Sequence, residues 1–156
     1  MPPKLTWEFM RFADLGVQRL YDALQLRCRV FILEQGPYLD LDGWDDKSWH
    51  LLGRETAIGP LLAYLRIVDP GVRFAEPSIG RVITAPELRG QGMGRHLMLE
   101  GVRRCAQVWP ERGNRISAQA RLEGFYASLG YVAVGEPYSE DTIPHLEMLY
   151  PARDPL

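Results

Sequence analysis

Arg89-Gly90-Gln91-Gly92-Met93-Gly94 sets three glycines at alternate positions behind an arginine. The flanking residues give this run its meaning. Residues 79–84 upstream read as a short strand that Pro86 cuts off, and Met98, Val102, Cys105 and Trp109 downstream recur at helical spacing. The glycines therefore stand where a strand turns into a helix. At such a junction small residues let consecutive backbone N–H groups close around an anion, and the helix dipole adds positive potential. The plain alternative is a tight turn with no ligand. Alternating glycines after an arginine favour an anion cradle of the kind a pyrophosphate needs. A dinucleotide site is disfavoured, because the spacing is Gly-x-Gly-x-Gly and the run comes late, after antiparallel-type strands.

The elements that must position this cradle follow from pattern. Residues 5–12 alternate and read as a first strand. Asp14 offers a cap to a helix striped by Val17, Leu20, Leu24, Cys28 and Phe31, which Gly36 and Pro37 end. Residues 38–47 form an acidic loop holding Asp40, Asp42, Asp45 and Asp46. Strands are expected at 49–54 and at 61–68, the latter nearly all apolar, and a loop at 70–77 leads into the strand–cradle–helix unit. That helix spans 94–109 and stops at Pro110. A fifth strand at 115–118, a short helix at 122–129 ended by Gly130, and strands at 131–134 and 146–150 complete a mixed α/β order. A polar loop, Ser139-Glu140-Asp141-Thr142, separates the last two strands.

Bulk composition narrows the classes. At 156 residues one domain is expected, 1–156 with an ordered core of about 5–150, large enough to fold without disulfides or metals. A net charge of -2 with no Lys/Arg run argues against nucleic acid as a partner. No apolar stretch approaches the roughly 18 residues of a membrane span, and the first residues do not read as a secretory signal. Cys28 and Cys105 each fall on a helical apolar stripe, so the expectation is two buried free thiols in a reducing cytoplasm. Three scattered histidines without matching cysteines provide no metal site.

Arg89, Gly92 and Gly94 also match the Arg/Gln-x-x-Gly-x-Gly/Ala signature of the GCN5-related N-acetyltransferase (GNAT) superfamily. Val82-Ile83-Thr84 and Pro86 stand in that family's order, and Phe125-Tyr126 followed by Gly130-Tyr131 resembles its second conserved block. More narrowly, the whole chain resembles the ElaA-like branch. Leu26-Arg27-Cys28-Arg29-Val30-Phe31, Glu34-Gln35, Asp40, Asp42-Gly43, His50-Leu51-Leu52-Gly53, Gly80-Arg81-Val82 and Ile143-Pro144-His145 carry that match. The resemblance implies an α+β fold: a twisted, mixed, largely antiparallel sheet of about six to seven strands flanked by helices. It implies that the sheet splays open where acetyl-CoA enters as co-substrate.

On this resemblance the cradle residues Arg89, Gly90, Gln91, Gly92, Met93 and Gly94 would hold the pyrophosphate. Backbone groups of Val82 and Thr84 would pair with the pantetheine arm as an added strand. An N–H at Val82 or Ile83 would polarise the thioester carbonyl. The family often places Asn six residues before its Phe-Tyr pair; here that position is Gln119, whose amide offers a similar contact. Tyr126 would protonate the leaving thiolate. An attacking amine must be neutral, so a base is needed, and His145, Glu34 and His50 are the candidates, with His50 reading as structural and His96 as solvated. Asp40 and Asp42 would attract a cationic acceptor, whereas Asp45 and Asp46 read as solvated. Arg81, unusual in an apolar strand, would pair with one of these carboxylates or line the acceptor pocket. The activity implied is acetyl transfer to a primary amine, of a small molecule first and of a peptide or protein second, by direct attack in a ternary complex. A coenzyme A-binding sensor without turnover and a homodimer stay open.

Overall fold

The computed structural model describes residues 2–36 and 38–152. Its elements in chain order are β1 (Thr6–Arg11), α1 (Gly16–Arg27), β2 (Ser48–Arg54), β3 (Ala63–Val68), β4 (Ser78–Thr84), α2 (Met93–Val108), β5 (Asn114–Gln119), α3 (Glu123–Ser128), β6 (Val132–Glu140) and β7 (Ile143–Tyr150). The result is the expected α+β fold with seven strands. Hydrogen bonding divides these strands into two antiparallel sheets, β1-β2-β3-β4 and β5-β7-β6.

The sheets meet at one place. Arg115 N–H donates to the Pro77 carbonyl at 3.0 Å, just where β4 and β5 begin. Both strands leave this contact in the same sense, because the α2 crossover returns the chain to the starting end. They then part, and the gap between them becomes the cleft described below.

Alternation along β2 and β3 sends side chains to two faces, and a helix covers each. Leu51, Ala63, Leu65, Ile67 and Ile79 pack against Met93, Leu97, Met98 and Cys105 of α2. Leu52, Tyr64 and Ile83 pack against Ala23 and Leu26 of α1 on the other face. Strand β3 is buried along its whole length, which explains its nearly continuous apolar run. Gly101 permits the close seat of α2: a Cβ there would fall 2.6 Å from Leu65 Cδ2.

Several expectations are corrected. Asp14 lies in a 3-10 turn, Phe12–Asp14, that runs straight into α1. Leu15 already has helical φ and ψ, so no extended residue remains to cap the helix and no side chain does so. The buried face of the helix is Ala23, Leu26, Arg27 and Val30, while Val17 is 88% exposed. The expected stripe is thus rotated, because Arg27 finds acidic partners inside, and a π turn at Cys28–Ile32 continues the helix beyond it. Cys28 is exposed in consequence. Cys105 is buried as expected, and burial pushes its thiol up to about 12. The polar loop at 139–142 is instead the tip of a long β6–β7 hairpin. Asp141 and Thr142 turn the chain with φ of 50° and 67°, a hairpin geometry that leaves Ser139 and Glu140 in the ladder. Pro37, expected to help end the first helix, is outside the described residues.

Gly101→Val should push α2 off β3 and lower the unfolding free energy by about 1–3 kcal/mol, as overpacked core sites do. Chemical denaturation checks this, and an unchanged midpoint would show that the helix seat has slack.

Candidate active site

The anion cradle forms as a loop between a 3-10 turn, Pro86–Leu88, and α2. Gly90 and Gly92 have φ of 79° and 78°, so the chain alternates into the left-handed region twice in three residues. That alternation is what turns successive N–H groups toward one centre, and side chains rarely adopt it. No side chain caps α2, and Gly92 itself is the N-cap. Gly90, Gln91 and Gly92 are exposed, whereas the Met93 side chain enters the core and leaves its backbone at the helix start. A Cβ at Gly90 or Gly92 would meet no heavy atom within 4 Å, so the positive φ, not crowding, is what calls for glycine at these two positions. Arg89 pairs with Glu34, and Arg29 with Glu87 at 2.7 Å, which ties the end of the first helical segment to the cradle.

Between β4 and β5 opens a cleft of about 560 Å³. Ile79, Gly80, Arg81 and Val82 form one wall and Ile116, Ser117, Ala118 and Gln119 the other. β4 is the edge of its sheet, so the backbone groups that do not serve β3 face this gap. Its ladder with β3 also carries an irregularity: Tyr64 pairs with Ile83, but Arg66 pairs with Gly80. Three steps along β4 thus oppose two along β3. The extra residue is a β-bulge, with Arg81 at φ 51°. A bulge frees backbone N–H groups that a regular ladder would consume.

Tyr126 lines the cleft from α3, with its ring edge-on to Phe125 and Tyr131. Its hydroxyl has no hydrogen-bond partner among the described residues, and burial raises the phenol above its usual value. It is therefore a protonated donor at neutral pH. His145 lines the same cleft from β7. Its Nδ1 lies 2.8 Å from the Ile143 carbonyl, which can only accept, so Nδ1 carries a proton and Nε2 is the nitrogen turned toward Glu140. Glu140 Oε2 stands 3.5 Å from Nε2 and also accepts from Ser117 Oγ at 3.0 Å. Gln119 ends β5 on the cleft wall and accepts from Arg121 Nε at 3.0 Å. Glu34 is at the surface on Arg89, which holds its carboxyl below the usual range, and it is not among the residues lining the cleft.

The acidic loop has a different character from the one expected. Asp40, Asp42 and Asp45 alternate with Arg27, Arg81 and Arg66 in a closed ring of ion pairs. Arg27 Nε donates to Asp40 at 2.8 Å, and Arg81 Nε donates to the other oxygen of Asp40 at 2.8 Å. Arg81 reaches Asp42 at 3.2 Å, and Arg66 holds Asp42 through both terminal nitrogens. Arg66 and Arg27 then share Asp45 at 2.9 and 2.8 Å. Arg27 and Arg66 are each 1% exposed. Burial alone would raise the Asp42 carboxyl, but the bonds and charge of Arg66 hold it at about 2. Asp45, expected to be solvated, is a ring member; Asp46 is the exposed one. Arg81 pairs with two of these carboxylates and also lines the cleft.

His50 extends the ring. Its Nε2 lies 2.8 Å from the Asp45 carbonyl and its Nδ1 2.7 Å from Tyr64 Oη. The carbonyl requires a proton on Nε2, so Nδ1 accepts from the tyrosine and the ring is neutral. Burial lowers its basicity below the usual 6.5. This histidine is structural, as its strand context suggested. Tyr38, Trp44, Arg73, Ser117 and Glu140 also line the cleft and were not singled out in the sequence. Arg66, a lone charge inside the apolar stretch 61–68, was the available signal for the ring.

A family model described as an acetyltransferase (GNAT) domain matches residues 59–150. A UPF0039 protein of Synechocystis is 41% identical over 148 residues, covering 94% of this chain and 96% of its own. Protein ElaA of Escherichia coli is 40% identical over 147 residues, covering 92% and 95%. Among solved structures, an acyl-CoA N-acyltransferase from Pseudomonas aeruginosa matches with a TM-score of 0.87 at 41% identity, over 94% of this chain and 99% of that one. Escherichia coli ElaA matches at 0.85 and 39% identity, over 94% and 99%.

Acid should unfold the protein in two stages. His50 binds its proton less readily folded than unfolded, so its contribution is complete above pH 6.5 and declines as pH falls below that value. Asp42 contributes fully above its ordinary 3.8 and loses that contribution as pH falls toward about 2. Denaturation midpoints measured across pH should be flat above neutrality, slope below 6.5 and steepen below 4. His50→Gln should remove the first slope and leave the second. Persistence of the first slope in that variant would assign it to another group.

Proposed function

The chain belongs to the GNAT acetyltransferase family, and on that premise we propose that it transfers an acetyl group from acetyl-CoA to a primary amine of a small molecule. The observation that carries this reading is the cleft itself. A bulged edge strand, the Tyr126 phenol and the His145 imidazole all line one gap. The cradle at 89–94 fits the pyrophosphate, because its positive-φ glycines stand at the start of α2. The free edge of β4 at Val82, Ile83 and Thr84 would pair with the pantetheine arm, and Gln119 would contact it from the opposite wall. When bound, acetyl-CoA supplies the activated acyl thioester.

The chain's own groups then divide the work. His145 Nε2 takes a proton from the incoming amine, which makes the nitrogen nucleophilic. A backbone N–H at the bulge donates to the acyl oxygen as negative charge develops there. Tyr126 gives its phenolic proton to the departing sulfur, and the amine attacks directly within a ternary complex. Glu140 faces the imidazolium as it forms, and its charge would stabilise it. Glu34 is left out of this scheme, since Arg89 occupies its carboxylate. A small amine is the acceptor that a cleft of about 560 Å³ supports best.

Purified protein given acetyl-CoA and a panel of primary amines should release free thiol with at least one of them. No release with any amine alongside tight coenzyme A binding would support a sensor and overturn the enzyme reading. Tyr126→Phe should lower kcat by about 10²–10⁴-fold while the affinity for coenzyme A changes by less than about threefold. Equal losses in both would assign Tyr126 to packing.

A further inference from the structure

Arg81 is a residue with a Cβ held at φ 51°, in a region that favours glycine, at the one place where β4 bulges. Something outside its own backbone must hold it there. Its side chain shows what does. Nε donates to Asp40 Oδ1 at 2.8 Å, and one Nη donates to the Asp40 carbonyl at 3.0 Å and to Asp42 Oδ2 at 3.2 Å. These acceptors are themselves immobilised. Asp40 is 7% exposed and is held by Arg27, while Asp42 is gripped by the fork of Arg66.

The carboxylates belong to residues 38–44, a segment without helix or strand. Tyr38, Leu39 and Trp44 of that segment line the cleft that His145 and Glu140 also line. One guanidinium thus joins two parts that share no ladder: the strand bearing the bulge N–H and the loop facing the acceptor. We propose that Arg81 is a positioning residue that locks the bulge of β4 and the 38–44 wall into one unit. It keeps the acyl oxygen's donor and the amine's approach in register. This rests on the reading that the cleft carries out acetyl transfer. Arg81 acts through the backbone and the loop, by way of the carboxylate pairing that was one of its two expected roles. Misplacement of about 1 Å at a reacting centre can cost about a hundredfold in rate, so a fixed coupling of this kind has a kinetic consequence.

The test combines backbone amide hydrogen exchange with steady-state kinetics on the full chain, comparing wild type with Arg81→Gln and Arg81→Lys. Arg81→Gln should speed exchange about tenfold or more in both 38–45 and 80–83, with α2 and the cradle unchanged. It should lower kcat about a hundredfold, with KM for acetyl-CoA and for the amine shifted less than about threefold. Arg81→Lys keeps the charge without the fork and should recover part of the rate and part of the protection. Should Arg81→Gln not fold, Arg81→Lys carries the same comparison, with smaller changes in the same two segments. Loosening of only one segment, or of neither, would overturn the proposal. So would a raised KM for the amine at unchanged kcat, which would make Arg81 a substrate contact. If no amine is acetylated by the wild type, paired loosening of both segments still supports the coupling, and the acetyltransferase reading alone fails.

Discussion

Three arginines and three aspartates close a ring in which each carboxylate is shared between two guanidiniums, and the geometry of the cleft depends on it. Arg27 comes from the end of α1, Arg66 from the middle of β3, Arg81 from the bulge of β4, and the aspartates from one irregular segment. Placing Arg27 and Arg66 at 1% exposure carries a desolvation cost of several kcal/mol per ion. Only mutual pairing offsets it. Removing one partner would leave an uncompensated buried charge, typically at a cost of about 3–5 kcal/mol. The accounting is not perfect even intact, since Arg66 Nε is buried without a partner. The ring's contribution is therefore less to net stability than to uniqueness. Residues 38–44 have no ladder to order them, and the arginines fix their path through Asp40 and Asp42.

The second constraint is the parting of β4 from β5. Two sheets joined by the single backbone contact at Pro77 and Arg115 must diverge beyond it. Divergence exposes the edge of β4, and the bulge turns that edge from a uniform row of donors into one with a special position. The same crossover that makes the strands run together brings α2, with the cradle at its start, to the mouth of the gap. Tyr126 and His145 enter from α3 and β7, which belong to the other half. The cleft is a seam between two halves, not a hole within one.

Much of this was legible. Element order was recoverable to within a residue or two for β2, β4 and α2, because each has a clear period and a Gly or Pro stop nearby. The glycine turn before α2 was legible because its requirement, alternate positive φ, is one that glycine meets most readily. Other features were hidden for specific reasons. The burial phase of α1 was misread because Arg27, counted as polar, occupies the inner face beside Ala23 and Leu26. Asp45 was taken as solvated because an acidic loop looks the same whether its charges face water or arginine. Cys28 faces outward for the reason that applies to α1, since the buried positions 23, 26, 27 and 30 define a face that leaves it out.

By itself the sequence determined the seven-strand order, the glycine turn before α2 and the family, since periodicity, turn chemistry and spaced motifs are local properties of the chain. Only the tertiary structure decided which charges neutralise one another, where the strand ladder slips, and which of three histidines lines the cleft. Each of these depends on distances between residues far apart in sequence, as with Asp40 and Arg81 or Tyr64 and Ile83, and local pattern carries no information about them.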